Sequence, residues 1–277
     1  MADLMINLVR RYKYESLKRQ DLPEGRRYVN RYDEKLPSVT TILEKTKDKT
    51  KLIEWANRVG HEEAERIKRE AASVGTSMHA YIESHIKMTK LAPAKYSWQY
   101  KAYRMAASLM ETYFPDLDEV WGNEVMVYKR GVYAGTTDLA GVFRGEPSIV
   151  DFKQSNKMKK REWIDDYFVQ LTAYAAAHNE LYGTEIRQGV VLMASQDGLL
   201  KDFVICGREF DSYLDHWNAK VKAFYATAEV AGEPEAVALA DRSETVPDIV
   251  VQNQEHSDPQ ASPEVPLAPP WMQPDSE

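Results

Sequence analysis

The sequence predicts an α/β fold of the α+β-like kind, in which a central sheet is flanked by helices. Two observations carry this. Between residues 120 and 153 apolar side chains recur with a period of two, interrupted by the turn signals Lys129-Arg130-Gly131 and Arg144-Gly145-Glu146-Pro147. On either side of that region the apolar period is helical. Composition sets the limits. A chain of 277 residues with 43% apolar residues can bury a sizeable core. No apolar run reaches the length of a membrane span. The N-terminal stretch meets charge too soon to read as a signal peptide. The single cysteine, Cys206, excludes an intramolecular disulfide and any four-cysteine zinc or iron–sulphur centre. A reducing cytoplasm is the expected location. No G-x-x-x-x-G-K-[ST] motif occurs, so no nucleotide cofactor is expected.

The elements follow in order. Residues 1–36 are mixed and basic, with Arg10, Arg11, Lys13, Lys18, Arg19, Arg26 and Arg27. Tyr12, Tyr14, Tyr28 and Tyr32 are interleaved with them. They either stack on unpaired bases or pack against the core. Residues 52–88 read as helix in pieces, broken near Gly60 and Gly75. Residues 96–113 form another helix around Trp98, Tyr103, Leu109 and Tyr113. Strands are expected at 120–128, 132–143 and 148–153, then a helix over 162–182. Residues 187–195 and 199–205 read as a hairpin about Gln196-Asp197-Gly198, and residues 209–228 as a last helix.

Charge divides the chain. Residues 232–277 carry ten acids against one base, a charge of −9, out of −7 for the whole chain. Residues 1–231 are therefore +2. The same segment holds 8 of the 13 prolines and few large apolar residues. It is expected to be a disordered acidic, proline-rich tail. Its last apolar cluster, Leu267-Ala-Pro-Pro-Trp271-Met272, suits docking in a partner's groove; a solubilising extension is the plainer alternative.

The chemistry converges on the strands. If Phe143 pairs with Ser148, Asp138 lies opposite Lys153 and shares its face with Asp151. Leu139, Gly141, Phe143, Val150 and Phe152 take the other face. If Tyr128 pairs with Val132, Glu124 lies opposite Thr136 and points to the same cluster. Carboxylates at this spacing suit Mg²⁺ or Mn²⁺, and a lysine beside them can serve an attacking water. A surface ion pair is the bland alternative, since D-x(12)-D-x-K also arises by chance.

Gly135-Thr-Thr-Asp138-Leu-Ala-Gly141 followed by Ile149-Val-Asp151-Phe-Lys153-Gln-Ser155 resembles the PD-(D/E)xK nuclease superfamily. More narrowly it resembles the RecB-type exonuclease branch. Gln170-Leu-Thr-Ala-Tyr174 is similar to that branch's Q-x-x-x-Y signature. Gly75-Thr-Ser-Met-His79-Ala-Tyr-Ile-Glu83 is similar to its upstream helix. Leu36-Pro-Ser-Val-Thr-Thr-Ile-Leu43 and Leu52-Ile-Glu-Trp55-Ala-Asn-Arg-Val-Gly60 resemble phage exonucleases and the mitochondrial genome maintenance exonuclease. The resemblance covers about residues 26–205, with Thr137-Asp138 where the superfamily name has Pro-Asp.

The resemblance implies a restriction-endonuclease-like αβββαβ mixed sheet with extra N-terminal helices. It implies one nuclease domain over 1–231, helical to about 115 and catalytic from about 116. It implies a phage-encoded, metal-dependent DNA exonuclease of replication, recombination or degradation, working in the host bacterial cytoplasm. His79, Asp138, Asp151 and the backbone carbonyl of Phe152 would hold one or two Mg²⁺ or Mn²⁺ ions. By its own pattern His79 reads first as a core histidine, in a stripe with Gly75, Met78, Ile82 and Ile86. Lys153 would be the catalytic lysine, with Glu124, Gln170 and Tyr174 in support. Ordinary packing is the alternative for the last two, beside a buried stripe of Trp163, Tyr167, Leu171 and His178. Glu83 reads as a supporting acid. Ser155, Lys157, Lys159, Lys160 and Arg161 follow the active strand and would contact the phosphates of single- or double-stranded DNA. A replication or single-strand-binding protein is the expected partner of the tail. A structure-specific endonuclease of the same superfamily and a non-catalytic DNA-binding recombination partner are the competing readings.

Overall fold

The computed structural model describes residues 6–91 and 93–230. The expected tail, residues 232–277, lies outside them. The N-terminal part is not all helical. It opens with an antiparallel sheet of β1 (Lys18–Leu22), β2 (Gly25–Val29) and β3 (Lys35–Pro37). These strands are three to five residues long and largely polar, so no apolar alternation announces them.

Helices α1 (Val39–Lys45), α2 (Thr50–Val59), α3 (His61–Ile86) and α4 (Ser97–Tyr113) follow. Ser38 starts α1 by accepting the Thr41 N–H at 3.0 Å. Gly60, at φ 92°, separates α2 from α3 as expected. Gly75 does not break α3, which runs through it for 26 residues. A lone interior glycine costs a helix only about 1 kcal/mol, and packing on the sheet outweighs that.

The main sheet is β4 (Leu117–Lys129), β5 (Tyr133–Phe143), β6 (Glu146–Ser155), β7 (Gln188–Ser195) and β8 (Leu200–Cys206), paired in that order. Only the β6–β7 pair is parallel. The chain crosses from β6 to β7 through α5 (Asp165–Tyr182). This helix starts three residues later than expected, because residues 161–163 form a 3₁₀ turn. Helix α6 (Gly207–Val230) closes the described fold. A mixed sheet between helical layers is the expected restriction-endonuclease-like core.

Both hairpin registers differ from expectation by two residues. Phe143 pairs with Glu146 and Tyr128 with Ala134. The β5–β6 turn is only Arg144-Gly145, both at positive φ, which is the tight hairpin turn that twisted strands favour. A shift of two keeps every side chain on its face, so the predicted faces survive. Leu139, Phe143, Val150 and Phe152 pack under α3 and α4. The other face packs on α1, α5 and α6 through Val125, Ala140, Ile149 and Val191, with Phe168 of α5 in the same cluster. Among the described residues no helix is long and apolar enough to cross a membrane.

His178 on α5 is fully buried among Tyr12, Tyr14, Trp121 and Tyr182. Its ring nitrogens meet the Tyr14 hydroxyl at 3.1 Å and the Thr184 hydroxyl at 2.8 Å. Three of the interleaved N-terminal tyrosines thus pack rather than face solvent: Tyr12 and Tyr14 here, and Tyr28 in a smaller cluster. Burial holds the His178 imidazole down at about 4. The unfolded chain takes that proton first as pH falls. Stability from neutral His178 is therefore complete above about pH 6.5 and lost toward pH 4. The loss amounts to about 3 kcal/mol. Urea titrations at both pH values should show His178→Gln losing about that much less than wild type. Equal losses would refute the assignment.

Candidate active site in the fork of the sheet

Strands β5 and β6 pair only from Phe143↔Glu146 to Leu139↔Val150. Beyond that point β5 stays with β4 as far as Tyr133, and β6 stays with β7 as far as Ser155. The sheet therefore forks, and Asp138 and Asp151 are the first residues on its two arms. Polar side chains there need partners other than a neighbouring strand, because the ladder between the arms has ended.

Those partners are specific. Asp138 Oδ2 accepts the Phe152 N–H at 2.8 Å across the fork and lies 3.4 Å from His79 Nδ1. His79 comes from α3, on the face where its ring meets Phe152 edge-on. Asp151 is 2% exposed, and both of its oxygens lie 2.6–2.7 Å from Lys153 Nζ. From the opposite face α5 supplies Gln170 and Tyr174, joined by a 3.0 Å hydrogen bond from Gln170 Nε2 to the tyrosine hydroxyl. Tyr174 sits directly over Gly135, where any Cβ would come within 2.5 Å of its ring. The glycine that opens the Gly135-Thr-Thr-Asp138 motif is thus the seat of that ring.

Glu124 completes the group. Its flanking pairs, Asn123↔Leu139 and Val125↔Thr137, put it across from Asp138. His79, Glu124 and Asp138 each bring a ligand atom within 4.8 Å of the others. Glu124 has φ 52°, a left-handed conformation that costs a non-glycine residue about 1 kcal/mol. Two bulges in β4, at 117–119 and 120–122, precede it and twist the strand.

The charges are strongly coupled. Burial pushes the Glu124 carboxyl up to about 7, helped by Asp138. Burial likewise raises Asp151 to about 6 against the pull of Lys153. Burial opposes the charge on His79, yet Asp138 outweighs it and lifts the imidazole to about 9. Asp138 itself is held below the usual carboxylate range, burial being overcome by His79. Burial also opposes the charge on Lys153, and Asp151 overcomes it, so the amine is held protonated.

A cavity of about 550 Å³ opens onto this cluster. Residues that the sequence did not place in the cluster line it too: Arg19, Arg26, Tyr28, Ser38, Thr40 and Thr136. The Tyr28 hydroxyl meets Thr136 Oγ1 at 3.1 Å, and Arg26 Nε donates to Asp21 at 2.8 Å. The arginines were visible as part of a basic N-terminus, but nothing marked their fold-back over the strands. Glu83 also lines the cavity and pairs with Lys87 at 2.5 Å.

The basic segment after β6 stands beside the cluster rather than in it. Ser155 ends β6, and its carbonyl accepts the Gln196 N–H at 2.9 Å. Lys157 is exposed. Lys159 donates to the Tyr167 hydroxyl at 2.6 Å. Lys160 lies over Trp163, which is 64% exposed and so lies outside the buried stripe expected for it. Arg161 is engaged by Glu209 at 2.6 Å and by the Val204 carbonyl at 3.0 Å.

Among solved structures, the fold is similar to a candidate exonuclease from Eubacterium rectale. The match has 11% identity and a TM-score of 0.45, over 66% of this chain and 77% of that one. It is also similar to an alkaline exonuclease from Laribacter hongkongensis. There the identity is 14% and the TM-score 0.33, over 56% and 80% of the two chains. No protein-family model matches the sequence, and no curated protein matches it.

Glu124 combines backbone strain with a buried carboxylate facing Asp138. Glu124→Gly removes both, so its melting temperature in EDTA should rise, by about 1 kcal/mol of added stability. A lower melting temperature would show that neither term is present.

Proposed function

We propose that this protein is a metal-dependent nuclease that hydrolyses phosphodiester bonds of DNA from a free end. One observation supports it most: His79, Glu124 and Asp138 converge at the fork while Asp151 holds Lys153 beside them. The donor set is one imidazole and carboxylates, which fits Mn²⁺ and, through the oxygens, Mg²⁺. Glu124 and Asp138 bring ligand oxygens within 4.8 Å of each other and repel, and a shared cation would relieve that repulsion. His79, Glu124 and Asp138 would hold the ion, with Asp151 and the carbonyl of Phe152 on the adjoining strand. A divalent ion there supplies Lewis acidity for a water nucleophile and neutralises phosphate charge.

The remaining roles belong to the chain. Lys153 works as an ammonium. Asp151 fixes its position, and the Lys153 ammonium would donate to the phosphate oxygens on which negative charge develops as water attacks. The Phe152 N–H and His79 fix the rotamer of Asp138. Gln170 and Tyr174 close the fork on the α5 side and orient Lys153 and the phosphate. Asp138→Asn and Lys153→Ala should each lower cleavage at least about 100-fold with DNA binding kept, and Lys153→Ala should also lower stability by leaving Asp151 buried and unpaired. The assay is end-labelled linear DNA beside closed circular single strands, with Mg²⁺, Mn²⁺ or EDTA. Cutting of the circle would replace the exonuclease by an endonuclease. Full activity in either variant would refute the site.

A further inference from the structure

Between Glu83 and Glu111 the sequence contains no acidic residue. It does contain Lys87, Lys90, Lys95, Lys101 and Arg104, and within the same stretch Tyr96, Trp98, Tyr100 and Tyr103. The fold places these at the entry to α4. Tyr96 is 60% exposed and Tyr100 is 56% exposed. The rings of Tyr96 and Trp98 are parallel to within 4°, with centroids 5.9 Å apart. Gln99 Oε1 fixes this turn by accepting the Lys95 N–H at 2.7 Å and the Tyr96 N–H at 3.1 Å. Tyr103 anchors the helix through an edge-on contact with Tyr81 of α3. Single exposed apolar residues are ordinary on a protein surface. Large flat rings held open on a rigid turn among cations are a different pattern. They offer a face to a planar group and charge to an anion.

The patch is joined to the fork. Lys101 and Arg104 border a small crevice of about 80 Å³ with Ser195, Gln196 and Gly198. The Gln196 N–H donates to the Ser155 carbonyl at 2.9 Å, and its side chain donates to Asn156 Oδ1 at 2.8 Å. Ser155 is two residues beyond Lys153 on β6. The basic, aromatic entry of α4 therefore lies against the carboxyl end of the strand that carries the site.

We propose that residues 95–104 are a stacking platform for an unpaired polynucleotide strand, which runs past the carboxyl end of β6 to or from the fork. Tyr96 and Tyr100 take the bases, while Lys95, Lys101 and Arg104 take the phosphates. Paired bases keep their faces within the duplex, so the platform selects unpaired strands. This inference rests on the nuclease reading of the fork for its direction, but its test does not depend on cleavage.

The test is fluorescence anisotropy of the full chain in EDTA, with a labelled short oligothymidylate and a blunt duplex. Tyr96→Ala/Tyr100→Ala should weaken oligothymidylate binding about tenfold or more and leave duplex binding unchanged. Tyr96→Phe/Tyr100→Phe keeps the rings and should bind as wild type, which separates stacking from a folding defect. Undiminished oligothymidylate binding by the alanine pair would overturn the proposal. So would equal losses for strand and duplex, or equal losses in the phenylalanine pair. Hydrolysis of thymidine 5′-(4-nitrophenyl) phosphate with Mn²⁺ reads the fork separately, because so small a diester does not reach the platform. The alanine pair should match wild type there. If wild type cleaves neither that diester nor DNA, the nuclease reading fails while the binding result stands.

Discussion

The fold is organised around an ion pair that the sheet cannot hide. Asp151 is almost fully buried, and a lone buried carboxylate would cost several kcal/mol. Lys153, two residues along the same strand and face, returns part of that cost by closing on both oxygens. The pair then needs a place where a strand has a free side. The fork supplies it, because β5 departs from β6 immediately before Asp138 and Asp151 meet. Pairing continued through these residues would leave Asp138 without the Phe152 N–H that now crosses the gap.

The two helical layers are set by the same fork. Helix α3 reaches it from one face with His79, and α5 reaches it from the other with Gln170 and Tyr174. Each approach depends on a fitted contact rather than on general apolarity. His79 sits edge-on to Phe152, the residue between Asp151 and Lys153. Tyr174 fills the space left by Gly135, three residues before Asp138. The parallel β6–β7 pair is what lets α5 cross over this spot, since parallel neighbours need a long connection.

What the sequence disclosed follows from how each signal arises. The faces of β5 and β6 were legible because strand alternation survives a register shift of two. The register was not, because it turns on whether the hairpin spends two residues or four on its turn. The β1–β3 sheet was invisible for want of apolar alternation in strands such as Lys18–Leu22. Asp138, Asp151 and Lys153 could be placed together from spacing alone, whereas His79 needed the resemblance, since its helical stripe by itself favours a core residue. The strain at Glu124 had no sequence signal. A glutamate at positive φ is recognisable only once the backbone is seen. Arg19 and Arg26 were visible as charge but not as walls of the cleft.

Net charge is a poor guide to what this surface binds. The whole chain is −7, yet residues 232–277 alone carry −9, and residues 84–110 hold no acid at all. Screening confines an exposed charge to about 8–10 Å, so a polyanion responds to local density rather than to the sum. Local density near the fork is governed by pairing. Arg161 is spent on Glu209 and on a carbonyl, and Arg26 on Asp21, whereas Lys157 stands exposed at the end of β6. Charge around the fork is thus set residue by residue. Arg31 and Arg130 lie over the exposed Tyr32, and cations also coincide with exposed rings at two segments beside β6. These are Lys160 with Trp163 after β6, and the entry to α4. Both flank the carboxyl end of the one strand that carries Asp151 and Lys153.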